Sequence, residues 1–198
     1  MDLDKDQIES YIYSQEDRSL DLLEGGMAEA LEYWQSLSPD GSVPTWDAFD
    51  LTKLPLDLIP RIHIFDAIDG GKDFRCRFWG TAIAEIMGME MAGKVVSTMH
   101  PSKGLATTVQ REMETVISSQ KPRSTSSYLM NKHGRFLFQV LLRLPLADKS
   151  GDVVHCVTIT DFQTDRRIQR VSHDVQLAAY YAPVKNSDLL IVSNHATS

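Results

Sequence analysis

The stretch Asp73-Phe-Arg-Cys-Arg-Phe-Trp-Gly-Thr81 decides the fold of this chain. Phe74, Cys76 and Phe78 occupy alternate positions in it, which is the period of a half-buried β-strand. A second stretch with this period, residues 135–146, places five large apolar residues on one face: Phe136, Phe138, Val140, Leu142 and Leu144. We expect both stretches to lie in one antiparallel sheet, with their aromatic rings turned towards the helices encoded between them.

The segments around these strands predict a mixed α+β unit. Residues 62–67 favour a strand, and Asp69-Gly70-Gly71 is a hairpin signal that would join it to 73–79. Apolar spacing predicts helices over 81–87 and 103–118, and alternation predicts further strands over 123–131 and 153–162. The expected order is therefore a two-strand hairpin, a helical crossover and three more strands.

The N-terminal part predicts a helical extension. Residues 20–37 form an amphipathic pattern with one apolar stripe, made of Leu23, Met27, Leu31 and Trp34. A proline-bearing connector with short helical turns is expected over 44–60. We divide the chain into an acidic helical extension (1–43), a central domain (44–165) and a C-terminal helix with a flexible tail (166–198).

The element order and several motifs resemble the PAS domain, in particular small stand-alone PAS proteins of proteobacteria. The resemblance lies in Tyr33-Trp34 at a helix end, in Leu58-Ile59-Pro60, and in the stretch 73–81 with its closing Gly80-Thr81. It covers residues 30–165 and implies a five-stranded antiparallel sheet with helices on one face. It also implies a role in signalling or protein interaction.

Charge and composition bound the partners. The first 30 residues hold nine acids against two bases, which accounts for the whole net charge of −7 and leaves the rest of the chain balanced. Nucleic acid is therefore not an expected partner, because phosphate binding needs clustered basic residues. No apolar run is long enough to span a bilayer, so no membrane partner is expected. Two cysteines without a disulfide or zinc pattern suggest the cytoplasm.

The resemblance implies a small cavity between the sheet and the helical crossover. Alternation and position suggest the residues that would line it for a small hydrophobic ligand: Phe74, Cys76, Phe78, Met87, Met91, Met99, Tyr128, Phe136, Phe138 and Cys156. Methionine suits an adaptable apolar pocket. The alternative is that these side chains fill the cavity completely.

The opposite sheet face is expected to mix basic residues with apolar surface. Leu137 and Leu141 alternate there with Gln139 and Arg143, and an apolar surface of this kind needs a cover. The interface candidates are therefore Met27, Leu31, Trp34, Leu137 and Leu141. They predict a homodimer with the Trp34 helix at the interface, or coverage by that helix within one chain.

No cofactor or metal is predicted. Cys76-Arg77-Phe78 is similar to part of the photoactive motif of flavin-binding light-oxygen-voltage domains, but it lies on a strand before the crossover. Helix 103–118 has no histidine to ligate a haem. Neither flavin nor haem is expected.

The sequence therefore predicts a non-enzymatic PAS sensor or interaction module whose protein binding is gated by a small ligand. Two alternatives stay open. One is a small α+β enzyme or carrier with a ketosteroid-isomerase-like open pocket, using Asp161, Tyr128 and His155. The other is a ligand-free structural adaptor.

Overall fold

A computed structural model describes residues 11–98, 103–130 and 136–163. Six antiparallel strands form one sheet in the order β1-β4-β5-β6-β2-β3. In chain order they are β1 Tyr11–Arg18, β2 Ile62–Ile68, β3 Asp73–Trp79, β4 Arg123–Met130, β5 Phe136–Ala147 and β6 Val153–Gln163. The predicted α+β fold with a PAS-like antiparallel sheet is confirmed, with six strands rather than five.

Helices cover both faces of this sheet. They are α1 Gly25–Ser36, α2 Thr81–Met87 and α3 Lys103–Ser119. The connector between α1 and β2 is built from three short 3-10 helices, Trp46–Ala48, Leu51–Lys53 and Leu56–Arg61, as its prolines predict. We call the sheet face towards α2 and α3 the inner face and the face towards α1 the outer face.

The sixth strand, β1, is an element of the N-terminal extension that the sequence did not predict. β1 pairs antiparallel with β4, and Arg123 of β4 binds Asp17 of β1, with Nη2 2.7 Å from Oδ1. Tyr11, Ile12 and Tyr13 are good strand formers, but the acids around them hid the β pattern. Because β4 would otherwise be an unpaired sheet edge, β1 satisfies its free backbone groups.

Gly80 shows why the motif at the end of β3 requires glycine. Its backbone N–H donates to Ile62 O at 2.8 Å, which brings β3 and the start of β2 together. A Cβ at this position would lie 2.3 Å from Pro60 O, so any side chain would collide with backbone. Glycine therefore allows α2 to begin directly after the strand.

The outer face packs against α1 as a dry apolar core. Met27, Leu31 and Trp34 of α1 lie in this core. The sheet contributes residues that are almost completely buried, among them Ile62, Ile64, Leu142, Leu144, Val157 and Ile159. The Trp34 indole N–H donates to Pro145 O at 2.8 Å, which fixes α1 on β5. The predicted amphipathic helix is confirmed over Gly25–Ser36, and Leu23, which was predicted on its stripe, is buried in the same core but precedes the helix.

The inner face packs against α2, α3 and the loop between them. The buried residues of this second core include Phe65, Phe74, Cys76, Met113, Val116 and Cys156. Glu112 is also buried here although it is charged. Among the described residues, the inner side therefore buries ionisable side chains, His63, Glu112 and Arg143, whereas the outer core is built from apolar residues.

The predicted orientation of β5 is wrong. Phe138, Val140, Leu142 and Leu144 face α1 on the outer side, whereas Leu137 belongs to the inner core. Alternation showed correctly that β5 has one wholly apolar face, but not which layer of helices covers it. The apolar face packs on the apolar stripe of α1, and the mixed face meets Glu112.

A β-bulge corrects the orientation of Phe78. Ile64 pairs with Phe78 but the next residue, Phe65, pairs with Cys76, so Arg77 is an extra residue in β3. Because a bulge breaks strict alternation, Phe78 packs on the outer core while Phe74 and Cys76 stay inside. Trp79 takes the next inner position.

None of the helices within the described ranges combines the length and apolar character required to span a membrane. The C-terminal helix and tail predicted over 166–198 lie outside the described residues, and the three-part division of the chain stays a prediction.

Candidate functional site

Half of the predicted pocket residues meet in the inner core. Phe74, Cys76, Met87, Met91 and Cys156 are all buried there, on β3, on β6 and in the segment from α2 to Met91. Of the five, only Met87 lines the cavity described below, and a role in ligand binding stays a prediction.

The other predicted pocket residues do not join them. Phe78 and Phe138 pack on the outer core, and the ring of Tyr128 lies 4.9 Å from that of Phe138, centroid to centroid. The side chain of Phe136 and the whole of Met99 lie outside what the structure describes.

The predicted interface residues divide between the two faces. Met27, Leu31 and Trp34 are buried on the outer face against their own sheet. Leu137 and Leu141 lie on the inner face, because β5 is oriented opposite to the prediction. The pairing of these two leucines with α1 is therefore wrong, and a dimer through α1 stays a prediction.

A cavity of about 60 Å³ lies between the inner face and the helices. Its helical wall is apolar and consists of Ile83, Met87, Val109 and Met113. Its sheet wall is mixed and includes His63, Gln139, Leu141, Arg143 and Thr160. A buried water needs roughly 10–15 Å³ of such space, so the cavity holds a few non-hydrogen atoms rather than a large cofactor.

Three buried polar atoms on the sheet wall have no hydrogen-bond partner within the part of the chain that the structure describes. They are His63 Nδ1, Arg143 Nε and Thr160 Oγ1, from residues that are 8%, 4% and 1% exposed. Thr158 of β6 pairs with both His63 of β2 and Arg143 of β5, so the three belong to adjacent strands. Unpaired buried polar groups are rare because each costs about 1–3 kcal/mol.

The charge of Arg143 is only partly balanced. Its Nη1 donates to Thr125 Oγ1 at 2.8 Å and lies 3.4 Å from Glu112 Oε2. The same carboxylate oxygen accepts from Arg123 Nη1 at 2.6 Å. One buried carboxylate therefore serves two guanidinium groups. Asp17, the other acid on Arg123, is mostly exposed.

His63 is neutral in this setting. Burial, with the nearby positive charge of Arg143, lowers its pKa to about 3. Its ring packs between two aromatic neighbours, with centroids 5.5 Å from Phe65 and 5.3 Å from Trp79. A neutral imidazole offers one donor and one acceptor, and it adds no charge to the cavity wall.

The two cysteines of the inner core are buried and free. Burial raises the pKa of Cys76 to about 12 and that of Cys156 to about 11, so both remain thiols. The Cys76 thiol donates to Phe78 O, with sulfur and oxygen 3.3 Å apart.

The side chains proposed for an enzyme site do not converge. Asp161 binds Arg61 and His155 binds Asp66, at 2.9 and 2.8 Å, at different ends of β6. His155 pairs with Leu146 of β5 and Asp161 with Val140, so the two are six residues apart along one strand. Across the described ranges, no group of three or more His, Cys, Asp or Glu residues is arranged to hold a metal ion.

Sequence reasoning missed the polar residues of this cavity. Gln139 and Arg143 were assigned to an external face, and His63 and Thr160 were not singled out. Glu112, which contacts Arg143 from α3, was missed as well. A usable signal exists in α3, where Glu112 shares the spacing of Val109, Met113 and Val116 and so lies on the apolar stripe. An acid on such a stripe indicates a buried cation opposite it.

Comparison with known proteins gives a family match. A family model described as PAS domain matches residues 25–160. No protein with a curated description matches the chain.

Similar solved structures have low identity to the chain. The PAS domain of BvgS from Bordetella pertussis is 20% identical, with coverage of 60% of this chain and 89% of that one and a TM-score of 0.43. The VqmA dimer of Vibrio cholerae is 16% identical, with coverages of 59% and 52% and a TM-score of 0.44. The dark structure of the blue-light photoreceptor Aureochrome1 LOV is 12% identical, with coverages of 66% and 94% and a TM-score of 0.44. This chain thus spans about half of the VqmA chain.

Proposed function

Because the chain belongs to the PAS domain family, we propose that it is a non-enzymatic sensor and interaction module in bacterial signalling or regulation, acting in the cytoplasm. A small molecule in the inner cavity controls its association with a protein partner, which includes a second copy of the chain. Neither nucleic acid nor membrane belongs to this proposal, since the charge outside the first 30 residues is balanced.

The observation that carries the proposal is the set of unpartnered polar atoms on the cavity wall. A fold that leaves His63 Nδ1, Arg143 Nε and Thr160 Oγ1 without partners among the described residues of its interior loses stability, and a ligand that pairs with these atoms restores it. A completely filled core, as in a structural adaptor, gives no reason for three such atoms at one cavity.

Contacts around the cavity suggest how ligand binding is transmitted. Gln15 of β1 reaches the cavity, and Arg123 connects Asp17 of the same strand to Glu112. A ligand at Arg143 changes the charge balance around Glu112, and therefore the strength of the ion pairs through which Arg123 holds Asp17 of β1. It shifts the strand only to the extent that it binds the two arrangements differently.

The form of self-association follows from burial. Met27, Leu31 and Trp34 contact their own sheet, so a dimer through α1 requires the helix to be exchanged between two copies. Sedimentation velocity across a range of protein concentrations measures this association directly.

The test uses a library of small molecules and a cavity-filling variant. Leu141 lines the cavity, so Leu141→Phe is expected to fill it while leaving the outer core intact. We expect compounds that raise the melting temperature of the wild type and not of Leu141→Phe, and that change its sedimentation. If no compound distinguishes the two proteins, the sensor function is wrong.

A further inference from the structure

The chemistry of the cavity wall narrows its ligand to one class, an inference that rests on the proposed function. On the sheet wall, Arg143 Nε is a charged donor without an acceptor among the described residues. Thr160 Oγ1 is an unpaired hydroxyl on the neighbouring strand, because Thr158, two residues before Thr160, pairs with Arg143. Together they match a group that accepts two hydrogen bonds. Hydrogen bonds from a guanidinium to an anion are about twice as strong as neutral ones.

The charge in this region favours an anion. Arg143 and Arg123 share the single buried carboxylate of Glu112, and the other partner of Arg123, Asp17, is exposed on the surface strand. One positive charge is therefore left without a buried counterion. Among the described residues no acid lines the cavity, and the carboxylate of Glu112 is already shared by two arginines, so a charged amine would find no free carboxylate here.

The volume of the cavity and its apolar helical wall determine the size and polarity of the rest of the ligand. The cavity of about 60 Å³ admits a few non-hydrogen atoms. Met87, Val109 and Met113 form an apolar surface across from the polar atoms, which suits a short alkyl chain. A second charged group on the ligand would have to lie against these apolar side chains, so the ligand carries only one.

We infer that the cavity binds a short-chain aliphatic monocarboxylate. Its carboxylate accepts hydrogen bonds from Arg143 Nε and Thr160 Oγ1, and His63 Nδ1 lies beside them on the neighbouring strand. Its alkyl chain lies against Met87, Val109 and Met113. No bond is made or broken, so the protein binds the acid and releases it unchanged.

The test compares four three-carbon probes by calorimetry: propionate, propionamide, propylamine and propanol. We expect saturable binding of propionate and at least tenfold weaker binding of the other three. In the series from acetate to hexanoate, affinity should reach a maximum and then fall, because the cavity has a fixed length.

Thr160→Val supplies the variant that is least disruptive to folding. It removes one hydroxyl at nearly constant volume and should weaken propionate binding about tenfold, the effect of one lost hydrogen bond to a charged group. Ser124→Ala is the matched control, since Ser124 Oγ is also buried and has no partner among the described residues, but Ser124 pairs with the outer-face residue Leu142 and so lies on the outer side of β4. It should leave binding unchanged.

Two results would overturn the monocarboxylate assignment. One is equal or tighter binding of propionamide, propylamine or propanol, and the other is propionate binding that Thr160→Val leaves intact. A neutral probe whose binding is lost in Thr160→Val would refute the ligand class and leave the sensor function standing. Failure of every compound in the library test above refutes the sensor function itself.

Discussion

The two faces of the sheet differ in how completely their buried groups are packed and paired. The outer face joins α1 through residues such as Leu142 and Leu144, which are fully buried and apolar. The inner face places Arg143, His63 and Thr160 beneath α3 and leaves polar atoms unpaired around a cavity. The first arrangement contributes stability, and the second gives up stability where a ligand can restore it. Adjacent residues of β5 lie on opposite faces, so substitutions on this one strand can compare the packing of the two faces.

The largest effect is expected from truncating neighbouring leucines of β5. Leu142→Ala opens a void in the dry outer core and should lower the free energy of unfolding by about 4 kcal/mol. Leu141→Ala only enlarges a cavity that exists already, so it should cost about 2 kcal/mol. Urea denaturation measures both, with the exposed Leu56→Ala as a control near zero. Equal losses for the two leucines would mean that the faces do not differ in packing.

Glu112 should be the next most sensitive position. Glu112→Gln leaves Arg143 and Arg123 without a buried counterion and should cost about 3 kcal/mol in urea denaturation. Adding Arg143→Met should recover part of that loss, because one uncompensated charge is removed. Glu114→Gln, on the exposed side of the same helix, should change stability by less than about 0.5 kcal/mol. A double variant no more stable than Glu112→Gln contradicts the charge balance described here.

The neutral state of His63 predicts a pH dependence of stability. Its folded pKa of about 3 lies below the unfolded value of about 6.5, so between these values the unfolded chain binds a proton that the folded protein does not. Stability should therefore fall with decreasing pH through this window, by about 1.4 kcal/mol per pH unit at most. Other groups titrate too, so the quantity to measure is the slope of the wild type minus that of His63→Phe. Parallel slopes would show that His63 is not held neutral.

The smallest effect on stability is expected for Thr160→Val, and its direction is what tests whether the hydroxyl is unpaired. Removing an unpaired buried hydroxyl should leave the unliganded protein equally stable or more stable, by up to about 1 kcal/mol. Most core substitutions destabilise, so this sign is informative. Thermal denaturation without added carboxylate checks it. A clear loss of stability would indicate that the hydroxyl already has a partner in the folded protein.

Much of the fold followed from local pattern. The strands around Phe74 and Val140, the stripe of α1 and the connector were predicted because period and turn residues act locally. β1 was missed because its partner, β4, is more than 100 residues away, and because acids obscure its pattern. Pairing over such separations leaves little trace in a single sequence.

The site was less predictable, for two physical reasons. The orientation of β5 depends on which helix layer meets which face, and alternation is the same in both cases. Phe78 was placed on the wrong face because the extra residue Arg77 shifts the register of β3. The burial of Arg143 and Gln139 was not predicted, because both are residue types that are usually exposed. Only the position of Glu112 on the apolar stripe of α3 indicates a buried cation opposite it.

The methyl spectrum of the methionines tests the contrast between the two faces most directly. Met87 and Met113 line the inner cavity, whereas Met27 lies in the outer core of the same molecule and serves as an internal control. On titration with propionate, we expect saturable shifts of the Met87 and Met113 methyl signals and a stationary Met27 signal. Movement of Met27 to the same extent, or no movement of any methyl signal with any of the four three-carbon probes, would contradict this expectation.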